Sequence, residues 1–388
     1  MEHGMFGLAR LRIKSKVMLV LLVVSLGSAA TMGLLTWQRA RTILTQRIFD
    51  QLTSVRAAKS AEIESYFQFM YSQVETLAED RMVVSAMREF DQAFDQLNAA
   101  TEPLAPAWQE AVRTYYRDEF FPRLSNNIDG TPIFDIYRPG GRAAQVLQYR
   151  YIANNPHPVG SKDNLLQAGD DTNYNTIHGR YHRIFRNLVS KFGYYDLFLI
   201  DHTTDDIVYS VYKETDFATS LDTGPYARSN FAEVIDKVQR NPEPGAVQIV
   251  DFAPYRPSYG APAAFFASPI YADGQQVGIL AVQLPVDRIN NVLTGRQNWE
   301  NEGLGKTGEV YLVGADLLMR SISRFLIEDP TGYKQALRDV GTPETIIETI
   351  GRLETSILLQ SVDTEGAKAA QQGKTGTQII DDYRGVPV

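Results

Sequence analysis

The chain has no cysteine. This excludes disulfides, thiolate nucleophiles and Cys-ligated metal sites together. A large domain of this kind rests on its core alone, which 388 residues permit. A basic surplus is missing too. Lys and Arg number 38 against 46 Asp and Glu, a net charge of -8, so no nucleic-acid partner is expected, because phosphate backbones select basic surfaces. Charge of either sign is absent from Val17 to Gln38, and Gly and Pro are absent from Leu34 to Glu102. What remains is 44% hydrophobic and 22% charged, the composition of a folded protein. The length fits two to three domains.

The uncharged stretch carries the first reading. About twenty apolar residues at ~1.5 Å rise cover a hydrocarbon core of ~30 Å. Val17–Trp37 is therefore read as a transmembrane helix, with Trp37 at its interface end. Arg10, Arg12, Lys14 and Lys16 precede it, which puts residues 1–16 in the cytoplasm and the bulk of the chain outside. Arg39, Arg41 and Arg47 follow on the other side. A cleaved signal peptide is the competing reading, with small residues at Ser28–Ala30. The apolar run is longer than a signal's core and unbroken before Trp37, so the uncleaved anchor is preferred.

Beyond the span, Leu44, Ile48, Leu52, Val55, Ile63, Phe67, Met70, Val74 and Leu77 recur at steps dominated by three and four. That spacing predicts a long amphipathic helix continuing out of the membrane. One half is expected to pack on its own domain and the lower half to form a dimer seam. Pro103 and Pro106 break the helix, and Ala107–Arg123 predicts a second one, so residues 38–123 form a stalk and packing helix. Leu124–Asp171, rich in Gly, Pro and Asn, is expected to be mostly extended loop. Asn173–Phe192 predicts a helix ended at Gly193.

The pattern then turns to strands. Tyr194–Asp201 and Ile207–Glu214 form one hairpin. Asn230–Val238 is a short helix, and Ala246–Phe252 a third strand. Ala263–Tyr271 and Gln276–Leu284 flank a second tight turn. The expected product is a five-stranded antiparallel sheet with helices on one face. The pattern starts again with the strands Glu309–Val313 and Leu317–Ser321, helices through Thr331–Ala370, and the strand Thr377–Asp381. The two further strands of the first module have no counterpart before Val388, so the second module (293–388) is read as incomplete and the chain as a piece of a longer protein.

An anchor, a long helix and two sheet modules in this order resemble the double Cache (PAS-like) extracytoplasmic region of bacterial transmembrane receptors. Phe192–Glu214 and Ala263–Leu284 look like its membrane-distal strands (module 124–292), and Gly303–Ser323 and Gly376–Val388 like parts of its membrane-proximal module. Where the family often has Ser-Asp-Ser, this chain reads Ser321-Ile322-Ser323. The resemblance implies an α+β fold, a homodimer, and a small-molecule ligand such as an amino acid or organic acid in the distal module. It also implies a second membrane helix and a cytoplasmic output: chemotaxis domain, histidine kinase or adenylate/guanylate cyclase. The ligand would lie between the sheet and the segments after the second strand. Arg228, Asp251 and Tyr255 fall in matching places, and the candidate ligand-binding residues are these three with Tyr212, Tyr226, Tyr259 and Gln283.

The remaining motifs point elsewhere only weakly. Gly303, Gly305 and Gly308 fit G-x-G-x-x-G but lead into a strand, so turn glycines are the better reading. His178 and His182 share a helix face, yet the residues between them, Gly179-Arg180-Tyr181, lack a general-base glutamate. A membrane-tethered metal-dependent hydrolase built on that pair is the main rival reading; a purely structural dimerising ectodomain is the other. No catalytic residue, metal site or cofactor is expected.

Overall fold

The computed structural model describes residues 12–128 and 130–388. The cytoplasmic segment expected at 1–16, with Arg10, lies outside the described residues up to residue 11. The chain forms two units, Met1–Ala58 and Lys59–Val388. Helix α1, Ile13–Glu79, contributes to both.

In the first unit, the apolar part of α1 is long and apolar enough to cross a membrane, and its side chains lie exposed. Ile43, Leu44, Ile48 and Leu52 are exposed as well.

In the second unit, α1 buries Ile63, Met70, Val74 and Ala78. It ends one helix earlier than the Gly/Pro-free run implied. Asp80 is extended (φ -65, ψ 128), and its carboxylate caps α2, Arg81–Ala99, by accepting from the amides of Met82 and Val83. A short acceptor side chain can stop one helix and start the next without either breaker residue. Helix α3, Pro106–Tyr115, runs through a π turn at Tyr116–Phe120 into α4, Phe121–Ser125. Pro122 explains the turn, because a proline lacks the N–H for an i−4 bond and crowds that carbonyl.

The segment expected as mostly extended loop is interrupted by short helices. It holds α5, Phe134–Tyr137, and α6, Arg142–Gln148, then a π turn at Tyr149–Ala153 and a 3-10 turn at Lys162–Asn164. Its glycines and prolines punctuate short helices that are held by packing: Ala143, Leu147, Tyr151 and Ile152 are buried in the core. Helix α7 spans Asn173–Phe192 as expected, capped by Thr172 and closed by Gly193 at φ 76, where a left-handed residue ends the turn.

The strands are β1 (Asp196–Ile200), β2 (Ile207–Ser210), β3 (Gln248–Tyr255), β4 (Ala261–Ala272) and β5 (Gln275–Gln283). Helix α8, Asn230–Arg240, crosses between β2 and β3. The sheet is antiparallel, with order β2-β1-β5-β4-β3. The chain is thus α+β, with the expected five-stranded sheet. Helices cover both faces, however, not one. Leu197, Leu199, Phe266, Leu280 and Val282 pack on α1, α2 and α7. Phe198, Ile200, Phe265, Ile279 and Ala281 pack on α8 and on the α3–α4 segment. Every residue of β1 is buried, the pattern of a strand with two dry faces.

Gly278 of β5 lies hard against α2: a Cβ there would run into Met87. Gly278→Val is expected to cost about 1–3 kcal/mol, the usual penalty for overpacking a dense core. Urea unfolding would measure it, and Met87→Ala in the same chain should recover part of the loss.

After α9, Val286–Thr294, residues 293–388 carry a smaller core. It is built on α10 (Arg324–Glu328), α11 (Pro330–Asp339) and α12 (Glu344–Leu353), with α13 (Glu365–Gln371) beside it. The expected strands pair only as isolated bridges, Val313 with Met319, Leu318 with Ser361, and Asp381 with Pro387. The chain at 317–320 bonds on one side to 312–314 and on the other to 358–362. Leu317 at φ 62 interrupts the middle segment, so the contacts stay too short for a ladder. Gly303 and Gly305 take positive φ in a turn followed by no helix before α10.

Candidate functional site

A small cavity of about 60 Å³ opens at the end of the sheet where β2 gives way to the following loop. Three directions of chain enclose it: Tyr115 from α3, Val159–Lys162 from the long connection, and Pro257–Tyr259 from the β3–β4 turn. Tyr195, Tyr212, Lys213, Glu214 and Thr215 form the rest of the lining. Two of these, Lys213 at φ 63 and Tyr259 at φ 57, are left-handed residues that are not glycine. For bulky side chains that conformation is strained and is held only where surrounding contacts fix it, as at binding sites.

The contacts that fix it are visible. Tyr195 Oη and Ser258 Oγ donate to the two oxygens of Glu214 at 2.8 and 2.7 Å. Gln283 Nε2 approaches Ser258 Oγ at 3.4 Å. Asn127 holds the Tyr259 carbonyl at 2.8 Å. Asp196 opens β1, and one of its oxygens accepts from the amides of Leu197, Val211 and Tyr212 at 2.7, 2.9 and 2.9 Å. This clamps the lining segment to the strand.

The ionisable groups here are poorly solvated. Burial, with Asp216 nearby, pushes Glu214 up to about 8. Burial raises Asp216 to about 6 and holds Asp196 well above the usual carboxylate range. Burial lowers Lys213 to about 7 and Lys162 to about 8. Each ammonium is engaged with the protein's own backbone and rings. Lys162 Nζ donates to the Ile152 carbonyl at 2.7 Å and sits 4.9 Å over the Tyr115 ring. Lys213 Nζ donates to the Ser210 carbonyl and sits over Tyr209 and Phe217 at 4.4 and 4.8 Å.

Of the residues singled out in the sequence, Tyr212 and Tyr259 line the cavity, and Gln283 touches its second layer through Ser258. Tyr226 and Tyr255 are buried beside it, with Tyr226 Oη against Thr215 Oγ1 at 2.6 Å and Tyr255 Oη donating to Asp216 at 2.5 Å. Arg228 is exposed. Asp251 lies on β3 and faces the smaller core: its carboxylate receives Arg320 Nε at 3.1 and 3.0 Å, and Arg320 also pairs with Asp316 at 2.9 Å. Lys162, Tyr195, Asp196, Lys213, Glu214 and Asp216 were not singled out. The available signal was Lys213-Glu214-Thr215-Asp216, a charged run directly after a strand, and the lone Asp196 heading an apolar strand.

His178 and His182 are fully buried and stacked at 4.2 Å. His182 Nε2 meets the Asp163 carbonyl at 2.7 Å and so carries the proton; Nδ1 then accepts from Tyr209 Oη at 2.6 Å. His178 Nδ1 donates to the Leu166 carbonyl at 2.8 Å. Burial depresses both, His182 to about 3. Among the described residues, no group of three metal-ligating side chains is present.

No protein-family profile and no curated protein sequence matches the chain. Among the solved structures with some similarity are a kinase sensor domain and a chemoreceptor ligand-binding domain. The histidine kinase DctB sensor domain of V. cholerae is 15% identical, with a TM-score of 0.24, over 50% of this chain and 61% of that one. The ligand-binding domain of the Pseudomonas fluorescens chemoreceptor CtaA, in complex with L-isoleucine, is 14% identical with a TM-score of 0.23, over 60% of this chain and 68% of that one. The same domain with L-serine gives 14% identity and 0.23, over 60% and 72%. This chain therefore spans about three fifths of the kinase sensor domain.

Proposed function

We propose that this chain is the extracytoplasmic ligand-sensing portion of a bacterial transmembrane receptor of the double Cache type. In this reading, residues 17–37 of α1 cross the cell membrane and the unit from Lys59 onward lies outside. A small solute enters the cavity beside β2, in the module 124–292. The observation that carries the reading is that cavity, enclosed by three separate chain segments and lined by strained Lys213 and Tyr259.

The signal then needs two states that the solute binds unequally, because a ligand with equal affinity shifts nothing. A chain of contacts joins α8 and β3 to the smaller core. Asn230, at the start of α8, holds the Asp251 carbonyl at 3.0 Å, and Asp251 holds Arg320 of the smaller core. The exposed apolar row Leu44, Ile48 and Leu52 is the seam of a homodimer in this reading. The output domain is a chemotaxis, kinase or cyclase module on a longer protein.

Thermal-shift measurement on the full chain in detergent, against amino acids, organic acids and amines, tests the proposal. At least one solute is expected to raise the midpoint in a concentration-dependent manner, as mass action requires. A panel without any such solute would count for a purely structural ectodomain.

A further inference from the structure

Behind the cavity lining, buried acceptors are short of donors. Asp196 and Asp216 are buried, as is Gln283, and each keeps one side-chain oxygen with no hydrogen-bond partner: Asp196 Oδ2, Asp216 Oδ1 and Gln283 Oε1. Buried polar atoms in native proteins are nearly always paired, so three orphan acceptors in one cluster call for an explanation. All three border the lining. Asp196 bonds the amide of Tyr212, Asp216 follows Thr215, and Gln283 reaches Glu214 through Ser258. Glu214 itself lines the cavity, beside the four tyrosines 115, 195, 212 and 259. Carboxylates and aromatic rings together are the chemistry that receives a cation with N–H donors.

The same lining has little for a carboxylate. Among the described residues, no arginine lines the cavity. Among the described residues, Lys162 and Lys213 are its cations, and each ammonium is already held by a backbone carbonyl and aromatic rings. Size points the same way. About 60 Å³ is room for a few water molecules, at about 10–15 Å³ of such volume each. The cavity is thus suited to a small ion rather than a large solute.

Resting on the sensor reading above, we infer that the cavity selects small primary ammonium ions over amino acids and organic acids, with Glu214 as the residue that meets the cation. Glu214 is faced by Tyr195 from β1's entry, by Ser258 and Tyr259 from the β3–β4 turn, by Tyr115 of α3 and Lys162 of the connection, and by Tyr212, Lys213 and Asp216 of its own segment. Burial favours its protonated form near neutral pH. An arriving ammonium stabilises the carboxylate, so the carboxyl proton leaves to solvent. A carboxylate ligand would do the reverse and draw a proton onto Lys213, which burial holds at about 7.

Calorimetry on the full chain in detergent, with methylammonium, ethylammonium, glycine and acetate as probes, reads both affinity and proton exchange when run in buffers of different ionisation enthalpy. Methylammonium or ethylammonium is expected to bind with proton release at pH 7, at least tenfold tighter than glycine or acetate. Glu214→Gln, which keeps the size and hydrogen bonding of the side chain, is expected to weaken that binding at least tenfold and to abolish the proton release. Binding of glycine or acetate with proton uptake, and none of the amines, would overturn the inference while leaving the sensor reading in place. Amine binding that is identical in the Glu214→Gln chain overturns it as well. If nothing binds here or in the wider solute panel, both readings fall.

Discussion

Replacing Asp196 with alanine is expected to destabilise the unit from Lys59 onward by about 3–5 kcal/mol, whereas asparagine should cost almost nothing. One Asp196 oxygen accepts three amides, two of them from the segment that lines the cavity. Alanine leaves those buried donors without a partner, and each pays its desolvation. Asparagine keeps an acceptor in place and removes a charge that burial and Asp216 both disfavour. The sign with pH follows from that raised pKa. A carboxyl raised in the folded state stabilises below its unfolded value and loses that contribution as pH rises through the folded one. The asparagine chain should therefore gain on the natural chain as pH rises from about 4 toward neutrality and above. Urea titration followed by tryptophan fluorescence at pH 5 and pH 8 measures both variants. Equal loss in the two would show that the acceptor is not what matters at residue 196.

Two arginines in the apolar part of α1, Leu21→Arg with Val24→Arg, are expected to abolish membrane integration. Each charge at the centre of a span costs about 2.5–3.5 kcal/mol, so the pair costs roughly 5–7 kcal/mol. Both native side chains are exposed and serve no packing in the protein, so the fold beyond Lys59 should be untouched. Alkaline extraction of the membrane fraction reads the result: the natural chain stays in the pellet and the double variant moves to the supernatant. Retention of the variant would remove the membrane span from the account.

How much of this was legible in the sequence differs by element. The α7 helix carried its own signals, a Thr172 cap and a Gly193 stop, and its expected bounds match the structure. The sheet was legible because β4 and β5 flank a tight turn at Asp273-Gly274, both left-handed. Asp80 was overlooked because a single capping carboxylate looks like any other surface acid within a long Gly/Pro-free run. The connection around α5 and α6 misled because its helices are too short to show a period and are fixed by tertiary contacts such as Tyr151 and Ile152. The second covered face of the sheet was written in the unbroken apolar run Leu197–Ile200 of β1.

The cavity was half legible for a related reason. Tyr212 and Tyr259, two of the expected binding residues, line it. The acids that matter, Asp196, Glu214 and Asp216, are ordinary in sequence and become unusual only when the fold desolvates them together. Asp251 illustrates the converse. Its place after the third strand's apolar start fits a ligand contact, yet it turns toward Arg320. Distances along the chain do not encode which face of an edge strand meets a neighbour.

The lack of cysteine makes one measurement decisive for where a solute sits. Val159→Cys places a single thiol in the cavity lining, and Thr223→Cys places one on an exposed turn away from it. Maleimide labelling is followed for each, with and without a saturating solute that raises the thermal midpoint. The account predicts that the solute slows labelling at residue 159 at least tenfold and leaves residue 223 unchanged, and that a membrane-impermeant maleimide reaches residue 223 in intact cells. Unchanged labelling at 159 under saturating solute would contradict the assignment of this cavity as the sensing site.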